Sequence, residues 1–284
     1  LLPDGVWRPV SELTVDDEVQ SPHGPSRITK VYQYPIAPLF RVRTTCGREI
    51  VATANHQHYL ANGQLLRTDQ LNVGDFLEVY ECATMHDSPP DAAMPLWALG
   101  WMGVMLGDGC MRREDAGFTA SPGNRVLRDL PPLPPDTYLK QVADTEYRIW
   151  LQPPQRNYNP LVQLLKKEGL WGLKSADKFV PQIVFRQGPA ERAYFLRHIW
   201  NCDGTTNNAG RQAVYTTVSR SLAYDIKYLL WSLGIPASLG DYYGTCGFTG
   251  RVVHFYHVRV SGGAFDRFSA ALSGDEHFDE QSVT

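Results

Sequence analysis

Leu99-Gly-Trp-Met-Gly-Val-Met-Leu-Gly-Asp-Gly109 is an apolar run closed by Asp-Gly, and Phe195-Leu-Arg-His-Ile-Trp-Asn-Cys-Asp-Gly204 repeats its form. Gly100, Gly103 and Gly107 fall at i, i+3 and i+7, so one stripe of a helix over this run carries almost no side chains. A second helix can approach such a stripe closely. The glycine after each aspartate is expected at the left-handed position that ends a helix. Packed together, the two helices would bring Asp108 and Asp203 to adjacent ends, where paired carboxylates repel unless cations lie between them. Taken singly, either run reads as an ordinary buried helix with a glycine stop. The repetition points to a shared site.

The chain is 43% apolar over 284 residues, enough to bury a sizeable core, and its length suggests two domains. No apolar run approaches the roughly 18 residues of a membrane span, and the opening residues follow neither a signal-peptide nor a transit pattern. Cys46, Cys82, Cys110, Cys202 and Cys246 are scattered and form no CxxC, which argues for a reducing, cytoplasmic or nucleoid-associated setting. Charge is unevenly spread. Residues 1–94 hold 7 Lys+Arg against 12 Asp+Glu, whereas residues 95–270 hold 20 against 14, so the middle segment is the basic one and suits phosphate binding.

From Trp7 to about Cys82 the pattern is that of a small, curved all-β domain. Strands are expected over Ser26–Tyr34, Leu39–Thr45, Glu49–Ala54 and Asp75–Glu81, between Gly, Pro and Asn turn signals. Two similar phrases, around Leu13-Thr-Val-Asp-Asp17 and Leu71-Asn-Val-Gly-Asp75, each pair an apolar anchor with an acidic turn. Within this domain Thr53-Ala-Asn-His56 can set a hydroxyl and an imidazole on one turn, the imidazole to protonate a departing amine and the hydroxyl to bond the same peptide. Both are also ordinary strand-end residues. His56 and His58 have the spacing of a metal half-site, without an evident third ligand.

After the polar, Pro-rich linker 87–95, the order is helix, strand, helix, strands, helix, twice over. The halves are 96–185 and 189–272, an internal duplication of about 85–90 residues. Paired through their first helices, such halves present a concave β-surface about a twofold axis. Lys140, Arg148, Arg156, Arg211, Tyr215, Arg251 and Arg259, with Tyr147 and Tyr256, are candidates to follow a DNA groove. Each alone is equally a residue of a solvated strand. Lys178 precedes a strand-like Phe-Val-Pro-Gln-Ile-Val run, where it reads on its own as a surface lysine, and Lys227 lies on an amphipathic helix.

The Val-Asp-Asp-Glu-Val phrase, the strands, Thr53-x-x-His56 and the Val73-Gly-Asp-Phe-Leu phrase resemble the N-terminal half of a Hedgehog/intein-type (Hint) splicing domain. The two Asp-Gly helices resemble LAGLIDADG homing-endonuclease motifs, in the order that such inteins use. The resemblance implies a multidomain chain: an all-β Hint half-domain over 1–86, then an α+β LAGLIDADG domain over 96–272 with a pseudo-twofold. It implies that Asp108 and Asp203 hold two or more Mg²⁺ ions and that Lys178, with Lys227 as a second basic candidate, assists hydrolysis of double-stranded DNA. Thr53 and His56 inherit breakage of the peptide bond before the intein, autocatalytically and without a cofactor, with the flanking host segments (exteins) as partners and no membrane involved. The alternative is a splicing intein whose nuclease domain has decayed into a DNA-binding or structural module. The chain opens at Leu1 without the family's nucleophile segment, and an acidic stretch at 273–284 stands where a C-terminal splicing segment is expected to follow. The resemblance therefore implies a trimmed, split or partly ordered protein that does not splice alone. In the second motif His198 stands at a position of close helix contact, and Cys202 replaces the usual alanine.

Overall fold

The computed structural model describes residues 2, 8–21, 24–33, 35, 37–45, 47–78, 93–111, 116–153, 159–207, 209–245 and 250–273. Arg156, Cys46, Cys82, Cys246, residues 87–92 of the expected linker and 274–284 of the acidic tail lie outside them. The chain divides into two units, Leu1–Thr84 and Met85–Thr284.

In the first unit, β1 (Glu18–Ser21) pairs with β2 (Gly24–Arg27), β3 (Leu39–Arg43) with β4 (Glu49–Thr53), and β5 (Gln57–Tyr59) with β6 (Leu65–Arg67), all antiparallel. The strand expected over Ser26–Tyr34 ends at Arg27, its ladder confined to the partners of β1. The one expected from Asp75 contributes a single bridge, Leu60 to Leu77, with residues 79–81 outside the described set. The two similar phrases fold into the same turn. Thr14 and Asn72 each donate a backbone N–H to the aspartate three residues on, at 2.7 Å in both cases. Asp16 and Gly74 take the positive φ between them, +82° and +106°. Leu39, Val51, Tyr59 and Phe76 are exposed, so these hairpins bury little apolar surface among the described residues.

The second unit contains the duplication. Its first half runs α1 (Leu96–Gly107), β7 (Gly109–Cys110), β8 (Ala116–Thr119), α2 (Arg125–Arg128), β9 (Thr137–Gln141), β10 (Glu146–Leu151) and α3 (Pro160–Lys167). A short α4 (Gln182–Phe185) precedes the second half: α5 (Pro189–Asp203), β11 (Gly204–Asn207), β12 (Gln212–Thr217), α6 (Arg220–Trp231), β13 (Ser238–Thr245), β14 (Val252–Ser261) and α7 (Ala264–Ser273). The two sheets have the same order, β7-β8-β10-β9 and β11-β12-β14-β13. Alternation along each strand sends Ala116, Phe118, Ile149, Ala213, Tyr215, Val258 and Val260 into the core.

Helices α1 and α5 meet at the centre, and the glycine stripe is what lets them. A Cβ on Gly103 would lie 2.9 Å from the Phe195 carbonyl oxygen and 3.0 Å from the Ile199 amide nitrogen, and one on Gly107 would lie 2.3 Å from the Cys202 Cβ. His198 fills the space opposite Gly100 and Gly103, with its ring edge-on to Tyr194 at 4.4 Å. Burial pulls its pKa from 6.5 down to about 4. A folded-state pKa below the unfolded one contributes stability that is present above pH 6.5 and lost as pH falls through about 4, worth about 3 kcal/mol for that separation. His198→Leu is therefore expected to flatten the acid side of the stability profile. Chemical denaturation at pH 7.5, 5.5 and 4 checks this; an unchanged slope between wild type and variant would refute it.

Candidate active site

The turn from helix to strand is immediate in both halves. Asp108 caps α1 and Asp203 is the last residue of α5; the next residues, Gly109 and Gly204, already pair in register with Phe118 and Tyr215. Each of those aromatics packs on a tryptophan of its own half's first helix, Trp101 to Phe118 at 5.7 Å and Trp200 to Tyr215 at 5.6 Å. The left-handed conformation expected of the two glycines is not what they adopt. Gly204 has φ −90°, and Gly109 is not among the positive-φ residues. They are glycines because a Cβ would strike the Met105 backbone at 2.4 Å in one case and the Trp200 ring at 2.1 Å in the other. Arg125 of the first half donates to the Gly204 carbonyl, and Arg197 and Asn201 of α5 grip Asp129 at the end of α2 at 2.6 and 2.8 Å. Helix ends and strand starts are thus braced around the two carboxylates.

Both carboxylates are costly to ionise here. Burial raises the pKa of Asp108, against the pull of the Cys202 thiol and Lys178. For Asp203 burial and the charge of Asp108 raise it to about 6, against Lys178 and the Tyr215 hydroxyl. The charge of Asp108 acts on Asp203, and the two helices that end in these residues pack against each other through Gly103 and Gly107. Lys178 joins them. It is buried, and its Nζ donates to the carbonyls of Met105 (3.3 Å), Leu106 (2.8 Å) and Gly107 (2.8 Å), the last turn of α1. A cation at a helix C-terminus is favourable. Burial still lowers the pKa of Lys178, with Asp203, Cys202 and Asp108 acting to raise it. Cys202, its thiol 3.5 Å from the His198 carbonyl, is pushed well above its ordinary pKa by burial and by Asp108, which makes it a packed thiol rather than a nucleophile. Lys227 is buried on α6.

Among the described residues no group of three or more His, Cys, Asp and Glu side chains is arranged around a common metal position. Two hard carboxylates are nonetheless a donor set that suits Mg²⁺, an ion bound by one or two carboxylates and completed by substrate phosphate and water. Burial is the main cause of both raised pKa values, with the charge of Asp108 adding to that of Asp203 and Lys178 opposing both.

The sheet faces turned away from the helices carry a different chemistry. Lys140, Arg148 and Trp150 share one face of the first sheet, with the Lys140 ammonium 4.4 Å over the Trp150 ring and Arg148 paired to Glu146 at 2.8 Å. In the second sheet Arg259 lies opposite Val214 and Ser238, and Arg251 is exposed just before β14. Tyr215 belongs to neither face. It is fully buried beneath α5, so the expectation that it touches DNA is corrected: its place in the alternation of β12 turns it toward Asp203. Tyr147, stacked on Phe118 at 5.3 Å, and Tyr256, in phase with Val258, have the helix-side parity too. Arg211 is engaged by Asp266. Sequence reasoning overlooked Tyr242, Phe255 and His257, whose rings cluster at 4.7–5.9 Å on the outer face; Gly240 and Gly244 leave room for Tyr242 and Phe255 to lie across the strands. The Gly-Asp-Tyr-Tyr-Gly alternation of β13 was the available signal.

In the first unit Thr53 Oγ1 donates to Asn55 Oδ1 at 2.7 Å, and the His56 amide donates to the Thr53 carbonyl at 3.1 Å. The His56 ring is exposed, 5.0 Å from that of His58. His58 is buried and meets Thr68 Oγ1 at 2.9 Å; the Thr68 hydroxyl and amide both donate to the His56 carbonyl, at 3.2 and 2.8 Å. That assigns the Nε2 proton to His58 and holds the Thr53–His56 turn from behind. It also commits His58 to Thr68 rather than to a metal.

Residues 190–269 match the family described as LAGLIDADG-like domain. The chain is 31% identical over 257 residues to the replicative DNA helicase DnaB of Rhodothermus marinus, covering 84% of this chain and 26% of that protein. It is 25% identical over 252 residues to a DNA gyrase polypeptide of Mycobacterium kansasii, covering 80% and 44%. It is also 26% identical over 238 residues to the NrdEB ribonucleoside-diphosphate reductase of Bacillus subtilis, covering 72% and 20%. A helicase, a gyrase and a reductase perform different reactions, yet each contains one stretch like this chain, as an inserted element does. The chain is an intein with a LAGLIDADG-like domain. The intein spans about a quarter of the length of the helicases it matches. Among solved structures, one of I-DmoI in complex with its target DNA matches with a TM-score of 0.40 and 14% identity, over 63% of the intein and 97% of that chain. Among the described residues no helix is long and apolar enough to cross a membrane.

Proposed function

We propose that the second unit is a site-specific endonuclease that hydrolyses both strands of a DNA duplex, and that the first unit is half of a Hint splicing domain. One observation carries the nuclease reading: two carboxylates of raised pKa, the half-buried Asp108 and the more exposed Asp203, each at the end of one of two glycine-packed helices, with a buried lysine beside them. Asp108 and Asp203 would hold the divalent ions, which when bound supply Lewis acidity and a water activated for attack on phosphorus. The chain's own part is positional. The helix ends keep the carboxylates together, the Lys178 ammonium offsets charge beside them, and the outer sheet faces align the duplex through phosphate contacts from Lys140, Arg148, Arg251 and Arg259, with the rings of Trp150, Tyr242 and Phe255 against bases and sugars.

In the first unit, His56 has an exposed ring and a clamped backbone, which suits a proton donor to a departing amine, with Thr53 bonding the same peptide. The exposed apolar residues of its hairpins support completion by further β-structure.

Incubating the intein with DNA that carries an uninterrupted host-gene junction, with and without Mg²⁺, tests the nuclease reading. A replicative helicase gene is the first substrate to try, given the DnaB relatives. A double-strand cut that requires Mg²⁺ is expected. Tight, salt-sensitive binding without cleavage under any divalent ion would replace this reading with that of a decayed DNA-binding module.

A further inference from the structure

Lys178 reaches the site through its ammonium, but its place is decided by backbone. All three of its N–H donors are spent on carbonyls of α1, so where the nitrogen sits depends on where residues 178–180 are held. Two side chains of the other half hold them. Ser219, fully buried at the start of α6, donates its hydroxyl to the Lys178 carbonyl at 2.5 Å and accepts from the Leu222 amide at 3.1 Å. Asp225, two turns along the same helix, accepts the Val180 amide at 2.9 Å. Lys178 comes from the first half of the duplication and α6 from the second. We infer that Ser219 and Asp225 are positioning residues that latch Lys178–Val180 to α6 and so set the lysine beside the carboxylate pair.

The latch is distinct from generic packing. Burial raises the pKa of Asp225 to about 6 even against its bond to Val180, so the group is retained at a cost to stability near neutral pH. An apolar residue on this face of α6 would pack without that cost, but it could not take the Val180 amide, which would be left buried and unpaired. The role in cleavage rests on the nuclease reading; the placement of Lys178 does not, and the two are tested separately.

Full-length wild type, Ser219→Ala, Asp225→Ala, Asp225→Asn and Lys178→Ala are compared by reductive methylation with formaldehyde and cyanoborohydride, read lysine by lysine by mass spectrometry. Lys178 is expected to be protected in wild type and in Asp225→Asn, whose amide oxygen still accepts from Val180. In Ser219→Ala and Asp225→Ala it should react about tenfold faster, with exposed Lys140 unchanged. Cleavage kinetics give the second arm: kcat lower by about tenfold to a hundredfold at unchanged KM, with no further loss when either change is added to Lys178→Ala. Acceleration spread evenly over all lysines, or none at Lys178, overturns the latch. So do kinetic losses that add in full to that of Lys178→Ala. If wild type cleaves no DNA, the nuclease reading fails and the methylation pattern alone decides the latch.

Discussion

Asp203→Asn is expected to lower DNA cleavage by about 10³-fold while the duplex remains bound, and Asp108→Asn to do the same. An amide keeps the shape of the carboxylate but loses the charge that would hold a divalent ion, whereas the outer sheet faces proposed to grip the duplex are untouched. Supercoiled plasmid carrying the site reads this directly: wild type gives linear product, and the variants give nicked circle at most. A second outcome accompanies the first. Burial and Asp108 push the Asp203 pKa to about 6, so near pH 7.5 its ionised form is held at a cost, and the asparagine variant should melt higher than wild type without divalent ions. A variant that is more stable and inactive is the signature of a residue kept for chemistry. Linear product from Asp203→Asn at the wild-type rate would remove this residue from the site.

Gly103→Val is expected to cost about 4 kcal/mol or more, a large share of the roughly 5–15 kcal/mol that holds an ordinary domain folded. Glycine to alanine in an exposed helix gains about 1 kcal/mol from backbone entropy. Here the added Cβ meets main-chain atoms of α5 at 2.9 and 3.0 Å, and a backbone cannot rotate away as a side-chain tip can. Overpacking of this kind costs about 1–3 kcal/mol for one methyl, so alanine already loses, and the branched valine adds two more methyls to the same seam. Gly107→Ala gives a sharper check, because its obstacle is the Cys202 Cβ at 2.3 Å. Cys202→Gly should rescue it and Cys202→Ala should not. Urea titrations measure all of these; a wild-type midpoint for Gly103→Val would mean that α1 and α5 do not pack as described.

Much of the second unit was legible because its signals are local. The i, i+3, i+7 glycines, the two Asp-Gly ends and the strands read at Tyr147–Gln152 and Ala213–Val218, found at Glu146–Leu151 and Gln212–Thr217, follow from helix and strand periods alone. Three kinds of information could not be read from residue type and spacing. Gly109 and Gly204 look like helix stops, but what requires them is a side-chain or backbone atom one turn back, which no torsional preference announces. Tyr215 looks like a strand aromatic able to meet DNA, and only the sheet's orientation decides that it faces Asp203 instead. Ser219 and Asp225 reach the Lys178 segment across 41 and 45 residues of sequence, a pairing that spacing cannot reveal. In the first unit the repeated Val-Asp-Asp and Val-Gly-Asp turns were readable from residue type. The extent of the strands was not, since ladder pairing depends on which neighbours are present.

The seam between α1 and α5 has one smooth side and one knobbed side: glycines on α1, His198 and Cys202 on α5. Two copies of α1 facing each other would bury few side chains along the seam, and two copies of α5 would collide. The halves therefore recognise each other and not themselves, as a hook recognises an eye. On the proposed nuclease function the molecule's two sheets are free to diverge, and the DNA sequence it selects is expected to read differently from left and from right. A library of cut sites should show the same one-way pattern in every clone.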